Sequence, residues 1–335
     1  MLNLIVDAMG GDNGVEASVA GVKAAISEVD GFKVTLVGKS DVLQTLVHDS
    51  ECEDRIEIVH AEDVIQMAEP PVSAIRTKKN SSMVVGLNLL HEHVGEAFIT
   101  AGSTGAMIAG ATMIVRRAKN VERAALAPLL PTVKGTWTQL IDCGANVDSK
   151  ASHLRQFAVM GSVYMNAVGG IEMPRVALLN NGTEEEKGCA LTKETYELLK
   201  HTPNINFVGN IEARDALSGI CDVIVCDGFM GNVLMKSIEG AIGSLMKMLK
   251  QELMSSVVSK IGAGLSKNAF GRIKKRMDYR EYGGALLLGV NGGVIKAHGD
   301  SDARAFKNAV LQAKKFAENN VVSTIIEKFA DYKEV

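Results

Sequence analysis

The sequence contains little proline and no closely spaced pair of cysteines. There are 6 prolines and 5 cysteines among 335 residues, and no two cysteines have CxxC spacing. An odd number of cysteines without that spacing predicts buried thiols in a reducing compartment, not a disulfide framework or a zinc site. The formal net charge is only −3, which argues against a protein that coats nucleic acid. We therefore expect neither a metal site nor a nucleic-acid partner.

Signals for secretion and membrane insertion are also missing. The N-terminal stretch MLNLIVDAMGGD has no basic region and reaches Asp7 too early for a signal peptide, so we expect a cytoplasmic protein. Residues 97–115 carry no charge, and 19 such residues are long enough to span a bilayer. However, Gly102, Gly105 and Gly110 interrupt this stretch, with hydroxyl side chains among them. The pattern favours a strand, a glycine turn and a helix over a transmembrane helix.

Apolar runs typical of strands alternate with helical periodicity along the chain. The first predicted strand is Leu2–Val6, and the helix after it places apolar residues three and four positions apart. The further predicted strands are Lys33–Val37, Arg55–Val59, Ala97–Thr100, Thr136–Ile141, Arg175–Leu179, Ile205–Val208 and Asp222–Cys226. One helix is predicted over Ala303–Phe329. This alternation predicts a three-layer α/β/α fold with one mostly parallel sheet, and we expect residues 1–335 to form a single domain.

Residues 243–276 differ from the rest because they are long, helical and basic. An aliphatic residue recurs every four positions from 245 to 265, and there are eight basic residues against one acidic residue. The basic residues are Lys247, Lys250, Lys260, Lys267, Arg272, Lys274, Lys275 and Arg276. The predicted breaks in the helix are at Gly262, Gly264 and Gly271. We expect a protruding hairpin, which is either a solvated helix face or a surface for an acidic partner or anionic lipid.

Six glycine-containing polar turns occur along the chain, at least five of them at the carboxyl ends of predicted strands. They are Asp7–Asp12, Gly102–Gly105, Asp142–Asp148, Asn180–Glu185, Asp227–Asn232 and, late in the chain, Gly289–Gly293 with Lys296–Gly299. In an open α/β sheet the carboxyl ends of the strands gather at one edge, where ligands bind. Glycine turns that open onto helix N-termini expose backbone N–H groups, which favours an anion such as phosphate. Ser103 and Thr104 add hydroxyl donors.

No intact nucleotide-binding or hydrolase motif accompanies these turns. Residues 10–14 do not match GxGxxG, and neither GxxxxGK[ST] nor GxSxG occurs. A free phosphate or phosphoryl group is therefore more compatible than a dinucleotide or ATP. Asp7, Asp142 and Asp227 each follow a predicted strand, where they orient loops, bind a metal or handle protons. These alternatives stay open from the residues alone.

Longer runs carry a specific resemblance. They are VDAMGGD at 6–12, AEDVI at 61–65, KKNSSM at 78–83, DCGANVD at 142–148, FAVMGSVY at 157–164, NGTEEEKG at 181–188, CDGFMGNVLMKSIEG at 226–240 and LLGVNGGVIKAHGDSDARA at 287–305. Through them nearly the whole chain resembles the bacterial phosphate acyltransferase family, which makes acyl phosphate from acyl–acyl carrier protein and inorganic phosphate. The family's SAGNTGA is TAGSTGA at residues 100–106, so the resemblance assigns no specific catalytic role to Ser103.

The resemblance implies a fold similar to phosphotransacetylase and to isocitrate and isopropylmalate dehydrogenases. It implies a homodimer that contacts the inner face of the cell membrane and serves phospholipid synthesis with a downstream glycerol-phosphate acyltransferase. We expect no cofactor, because phosphate is already an anionic nucleophile and a thiolate leaves readily from a thioester.

Such a reaction requires held phosphate and donors for the developing oxyanion. The residues expected to balance charge or act in catalysis are Lys187, Asp227, Asn232, Lys236, Lys296 and His298. Those expected to bind phosphate or substrate are Asp7, Gly10, Gly11, Asp12, Lys79, Ser81, Ser82, Gly102, Ser103, Thr104, Gly105, Asp142, Gly144, Asn146, Asp148, Asn181, Gly182, Gly228 and Gly231. Those expected to contact carrier protein or membrane are Lys267, Arg272, Lys274, Lys275 and Arg276. Ser81 or Ser82 is also predicted to cap a helix.

Other interpretations of the sequence remain. A phosphotransacetylase-like enzyme would run the same chemistry with acyl-CoA as donor. A non-catalytic scaffold for lipid synthesis would have no use for six glycine turns, and an NAD-dependent dehydrogenase would need a dinucleotide fingerprint. Met246, Met248 and Met254 belong either to an adaptable groove for the acyl chain or to the core.

Overall fold

The computed structural model describes residues 1–48, 51–278, 281 and 283–330. Its strands are β1 (Leu2–Asp7), β2 (Phe32–Gly38), β3 (Ile56–His60), β4 (Ala97–Thr100), β5 (Ala125–Ala127), β6 (Leu129–Pro131), β7 (Trp137–Ile141), β8 (Arg175–Asn180), β9 (Asn206–Glu212), β10 (Val223–Val225), β11 (Ala285–Leu288) and β12 (Gly293–Lys296). All the predicted strands are present. The short strands β5, β6, β11 and β12 were not predicted.

The helices of the described ranges lie between and around these strands. They are α1 (Gly14–Glu28), α2 (Ser40–Val47), α3 (Pro71–Thr77), α4 (Ser82–His91), α5 (Thr104–Gly110), α6 (Ala151–Ala167), α7 (Ala190–Lys200), α8 (Gly228–Leu253), α9 (Val257–Leu265), α10 (Lys267–Met277), α11 (Ala303–Glu318) and α12 (Val321–Ala330). The uncharged stretch at 97–115 forms β4, α5 and one π-helical turn at Ala111–Val115. No helix in the described part of the chain has both the length and the apolar character to cross a bilayer.

The strands form two sheets, so the prediction of one sheet was wrong. The first has the order β3-β2-β1-β4-β12-β11-β5, and the second has the order β6-β7-β10-β8-β9. Pairing is parallel except where β11 pairs with β12 and β5, and where β6 pairs with β7. The chain changes sheet at Pro128, between β5 and β6. Proline has no backbone N–H to donate, which suits a break in strand pairing.

The two sheets share a core. One continuous hydrophobic cluster contains Val6 and Ile295 from the first sheet and Ile141 and Val223 from the second. Strand β1 is buried at five of its six positions, because helices cover both faces of a parallel sheet. That residues 1–335 form a single domain stays a prediction.

The C-terminal helix predicted over 303–329 is two helices. Helix α11 ends at Glu318, and Asn320 has a φ of 49° before α12 begins. Asparagine tolerates this left-handed conformation better than most residues, so it ends a helix readily. The prediction of a single helix was wrong because asparagine is a weaker sequence signal for the end of a helix than glycine or proline.

The basic helical segment is built differently from the prediction. Helix α8 begins at Gly228 and runs through 243 without a break, and the chain bends at 254–256 and at Ser266. Ser256 caps α9, where its Oγ accepts a hydrogen bond from Ser259 N at 3.1 Å. Gly262 and Gly264 lie inside α9, and Gly271 lies inside α10, so the glycines do not mark the breaks. No residue of α9 is buried.

Candidate active site

Asp7 organises the turns at the carboxyl ends of β1 and β4. Its Oδ2 accepts from Thr100 Oγ1 at 2.7 Å, and its Oδ1 accepts from Met9 N at 3.2 Å. Thr100 Oγ1 in turn accepts from Gly102 N at 2.9 Å. Burial raises the pKa of Asp7, whereas hydrogen bonds, chiefly from Thr100 and Ser82, act to lower it. The carboxyl group is 1% exposed and therefore serves to position the turns.

The turn after β1 lies tightly between two other turns. A Cβ at Gly10 would lie 2.7 Å from Gly102 N, and a Cβ at Gly11 would lie 3.2 Å from Gly299 O. Asp12 N donates to Gly299 O at 2.7 Å. Gly11 also has a φ of 105°, which L side chains rarely adopt. These glycines are required for the close approach of three strand ends.

Lys296 ends β12 beside these turns and is 8% exposed. Its Nζ donates to Ala101 O at 3.2 Å and to Ala297 O. Burial lowers the pKa of Lys296 to about 8, although the charges of Asp12 and Asp7 act to raise it. An ammonium has three N–H donors, so a third can reach a ligand beside it.

Helix α5 begins directly after the β4 turn. Ser103 is its N-cap, and Ser103 Oγ accepts from Ala106 N at 3.5 Å. Thr104 and Gly105 form the first turn of the helix. A Cβ at Gly105 would lie 2.7 Å from Pro71 Cγ, so this glycine also permits contact with α3. The hydroxyl of Ser103 therefore caps the helix.

Asp142 organises the second sheet as Asp7 organises the first. Its Oδ1 accepts from Leu126 N at 2.9 Å and Ala145 N at 3.1 Å. Its Oδ2 accepts from Asn146 N at 2.7 Å and Asn146 Nδ2 at 2.9 Å. Burial raises the pKa of Asp142, and these hydrogen bonds act to lower it. Asn146 Nδ2 also donates to Ala124 O at 2.7 Å, so its amide hydrogens hold the turn together.

The first turn of α8 packs against the Asp142 turn. Asp227 is the N-cap of α8, and Gly228 N donates to Asn146 O at 2.8 Å. A Cβ at Gly231 would lie 1.9 Å from Asp142 O. Gly228 and Gly231 therefore allow the helix to touch the turn, whereas the sequence suggested that they bind phosphate.

This contact and the β12 turn enclose a cavity of about 420 Å³. It is lined by Thr104, Gly105, Ile108, Leu126, Pro128, Leu129, Cys143, Gly144, Asn232, Met235, Lys236, Glu239, Gly283, Gly284, Ala285, Lys296, Ala297 and His298. Residues from both sheets contribute to it. The cavity therefore lies where the strand ends of the two sheets meet, as expected for a ligand site in an α/β fold.

Basic side chains enter the cavity from two elements. Lys236 comes from α8, while Lys296 and His298 come from the end of β12. His298 Nδ1 lies 2.7 Å from Asp300 Oδ1, which orients the imidazole ring. Glu239 is the acidic residue in the wall, one helical turn beyond Lys236. The basic side chains suit an anionic group of a ligand. The other polar side chains of the wall suit a polar, uncharged group beside it.

The other predicted residues lie outside the cavity wall. Those that support it are Asp7, Gly10, Gly11, Asp12, Ser82, Gly102, Ser103, Asp142, Asn146, Asp227, Gly228 and Gly231. Those farther from it in the fold are Lys79, Ser81, Asp148, Asn181, Gly182 and Lys187. Lys187 and Asn181 are exposed in the turn after β8, a strand separated from β7 by β10. Ser81 is the N-cap of α4, which confirms one of the two predicted caps.

Several wall residues were missed from the sequence. Met235 and Glu239 follow Asn232 by three and seven positions, so all three share one face of α8. That periodicity was readable, but the helix was predicted to begin only at 243. Cys143 is buried beside Met235, with 3.4 Å between Sγ and Sδ. Burial raises the pKa of Cys143 to about 12, so its thiol is neutral and is a poor nucleophile.

Comparison with known proteins gives consistent matches over the whole chain. The profile of the family described as Fatty acid synthesis protein matches residues 2–324. A phosphate acyltransferase from Bacillus subtilis is 46% identical over 332 residues, covering 99% of each chain. Another from Clostridioides difficile is 46% identical over 336 residues, covering 99% of this chain and 98% of the relative.

Solved structures show the same fold at low sequence identity. A phosphotransacetylase from Streptococcus pyogenes superposes with a TM-score of 0.61 at 14% identity, covering 95% of this chain and 94% of the other. A branched-chain phosphotransacylase from Enterococcus faecalis gives 0.59 at 14% identity, covering 95% and 99%. The predicted phosphotransacetylase-like architecture is confirmed.

The contact between Gly231 and Asp142 predicts a stability effect. We expect Gly231→Ala to lower the free energy of unfolding by about 1–3 kcal/mol, because the Cβ would overlap a backbone oxygen that cannot rotate away. Gly240→Ala is the matched control on the same helix, since its added Cβ meets no atom within 4 Å apart from the neighbouring backbone of its own helix. It should raise stability by up to about 1 kcal/mol. Urea unfolding measures both, and equal effects of the two variants would contradict the packing role of Gly231.

Proposed function

Because the chain belongs to the fatty acid synthesis protein family, whose matching curated members are phosphate acyltransferases, we propose that it uses long-chain acyl–acyl carrier protein as its acyl donor. The protein is an enzyme that transfers acyl groups to phosphate, in the synthesis of fatty acids and phospholipids. The observation that carries the proposal is the cavity, which joins glycine turns and cations at the strand ends of both sheets.

Phosphate binds between the first turn of α5 and Lys296. Backbone N–H groups near Thr104 and Gly105 face the anion at the helix N-terminus, and the Lys296 ammonium balances its charge. A phosphate oxygen then attacks the thioester carbonyl carbon. The tetrahedral adduct collapses with cleavage of the C–S bond, which releases acyl phosphate and a thiolate. Holding the two reactants in line supplies roughly 7–11 kcal/mol of the barrier.

Asn232 and Lys236 stabilise the oxyanion from the opposite wall. Both belong to α8, and Asn232 lies over Gly144, where an added Cβ would be 3.6 Å from Asn232 Nδ2. Losing one oxyanion donor typically costs about 2.7–4 kcal/mol of transition-state stabilisation. We assign the imidazole of His298, oriented by Asp300, to polarise the thioester carbonyl. No covalent nucleophile and no cofactor is needed in this scheme.

Helices α9 and α10 offer surfaces for contact with the acyl carrier protein and with the membrane. Helix α10 has no acidic residue and exposes Lys267, Arg272, Lys275 and Arg276, which suits an acidic carrier protein. The side chain of Lys274 lies outside the described residues. Helix α9 exposes Val258 (80%) and Leu265 (85%), which suits insertion into a lipid surface.

We place the enzyme in the cytoplasm, as a homodimer at the inner face of the membrane. Acyl phosphate is a reactive mixed anhydride, so a membrane location brings it close to the glycerol-phosphate acyltransferase that consumes it. The exposed apolar residues of α9 and the cations of α10 support the membrane location, because the two helices are consecutive in the chain.

The reaction itself is tested with two donors. Palmitoyl–acyl carrier protein and palmitoyl-CoA are each incubated with enzyme and phosphate, and hydroxylamine traps any acyl phosphate. We expect phosphate-dependent product from the carrier-protein donor. Product from CoA alone would assign a phosphotransacetylase-like donor instead. No product from either donor, with folded enzyme, would refute the proposal.

The buried Lys296 predicts a pH dependence. Its pKa of about 8 means that the ammonium is present at pH 7 and is lost as the pH rises through about 8. If Lys296 binds phosphate, kcat/KM for phosphate falls above that pH. Lys296→Gln should raise KM for phosphate roughly tenfold or more, the loss of one charge-assisted hydrogen bond, and should abolish the fall.

The exposed Lys315 provides the control for this measurement. Lys315→Gln, on α11, should keep the wild-type profile. An unchanged profile in Lys296→Gln would show that Lys296 does not contact phosphate.

The cations of α10 are tested by charge reversal. We expect Lys267→Glu with Arg272→Glu to weaken binding of the acyl carrier protein several-fold, and more strongly at low salt. Lys193→Glu, on exposed α7, is the control for a general change of charge. Fluorescence anisotropy with labelled carrier protein and pelleting with anionic vesicles are measured in parallel. Loss of vesicle binding with unchanged carrier-protein binding would assign these cations to lipid.

A further inference from the structure

A second cavity, of about 380 Å³, adjoins the first. Its walls are mainly Pro128–Pro131, the continuation of α8 through Ile242 and Met246, and Met277 at the end of α10. The titratable groups among its lining residues are Glu239 and Asp278. Among the residues that the structure describes, the wall of the second cavity therefore has no cation to hold phosphate and is predominantly apolar.

The two cavities share a wall. Pro128, Leu129, Met235 and Glu239 line both of them, so the polar cavity and the apolar one lie side by side. The shared residues form a boundary between charged and apolar surroundings. A substrate that spans both must have a reactive polar end attached to an apolar tail.

Helix α8 forms one side of both cavities with a single face. Its lining residues Asn232, Lys236, Glu239, Ile242 and Met246 recur at spacings of three and four. The sequence along this face changes from polar to apolar in the direction away from Asp142. From Glu239 to Met246 the helix rises by about 10 Å. The reacting end and the apolar tail of a substrate that occupies both cavities thus lie along helix α8.

We propose that the second cavity binds the acyl chain of the donor, and that Met246 and Ile242 set the length of chain that the enzyme accepts. The inference rests on the proposed function, because the acyl group is what the first cavity would activate. A pantetheine arm suits this cavity less well, because its amides would be buried against apolar walls. Methionines at both ends of the cavity, Met235 and Met246, adapt their shape to chains of differing length.

Of the three methionines considered for an acyl groove, Met246 alone lines this cavity. Met248 and Met254 are 56% and 54% exposed, so that part of the earlier expectation was wrong. The reason is helical phase, because Met248 is two residues beyond Met246 and so lies on the other side of α8. This difference supplies a matched control.

The test compares acyl chains of increasing length in Met246→Trp. Initial rates of acyl phosphate formation are measured with octanoyl–, lauroyl– and palmitoyl–acyl carrier protein. A larger side chain shortens the cavity, so we expect kcat/KM for palmitoyl to fall by about tenfold, equivalent to roughly two methylene groups left unburied. The value for octanoyl should change by less than about twofold. Met248→Trp, the same substitution on the exposed face, should leave the whole series unchanged.

Met246→Ala tests the inference in the opposite direction and does not depend on fitting a large side chain. It lengthens the cavity and should raise the ratio of palmitoyl to octanoyl activity. An equal loss for all chain lengths in Met246→Trp, together with an unchanged ratio in Met246→Ala, would overturn the inference while wild-type activity still upheld the proposed function. Absence of acyl phosphate from wild type with every donor would instead refute the proposed function.

Discussion

Two buried carboxyl groups, Asp7 and Asp142, hold the candidate active site in shape. Each ends a strand, one in each sheet, and each accepts hydrogen bonds from backbone and neutral side-chain donors of the turns around it. A buried carboxylate is costly unless its oxygens are satisfied. The turns are therefore bound to these two groups, and the cavity is the space left between them.

Helix α8 completes the wall of the candidate site, to which it adds Asn232 and Lys236. Its first turn touches the Asp142 turn through Gly228 and Gly231. Because that contact fixes the position of the helix, Asn232 and Lys236 project toward the β12 turn that carries Lys296. The positive charges are thus supplied from opposite walls, while the two carboxyl groups stay behind the turns.

Local patterns predicted more of the fold than of the site. Strand-helix alternation, the Ser81 cap and the polar turns at strand ends were readable, because each depends on neighbouring residues. The division into two sheets was not, because it depends on pairing between distant strands such as β5 and β11. Gly228 and Gly231 permit helix contact, a role that sequence alone cannot distinguish from ligand binding. Glu239 was missed because the start of α8 was placed too late.

Because one face of α8 lines both cavities, insertions and deletions within this helix are constrained. An inserted or deleted residue between Asn232 and Met246 would rotate everything beyond it by about 100° around the helix axis. Met246 would then leave the second cavity, and an exposed residue would enter it. Single substitutions at positions of this stretch that line neither cavity are consequently more tolerable than a change of its length. The bend at 254–256 ends this restriction for α8 itself, whereas an insertion in α9 or α10 would still displace Met277 from the wall of the second cavity.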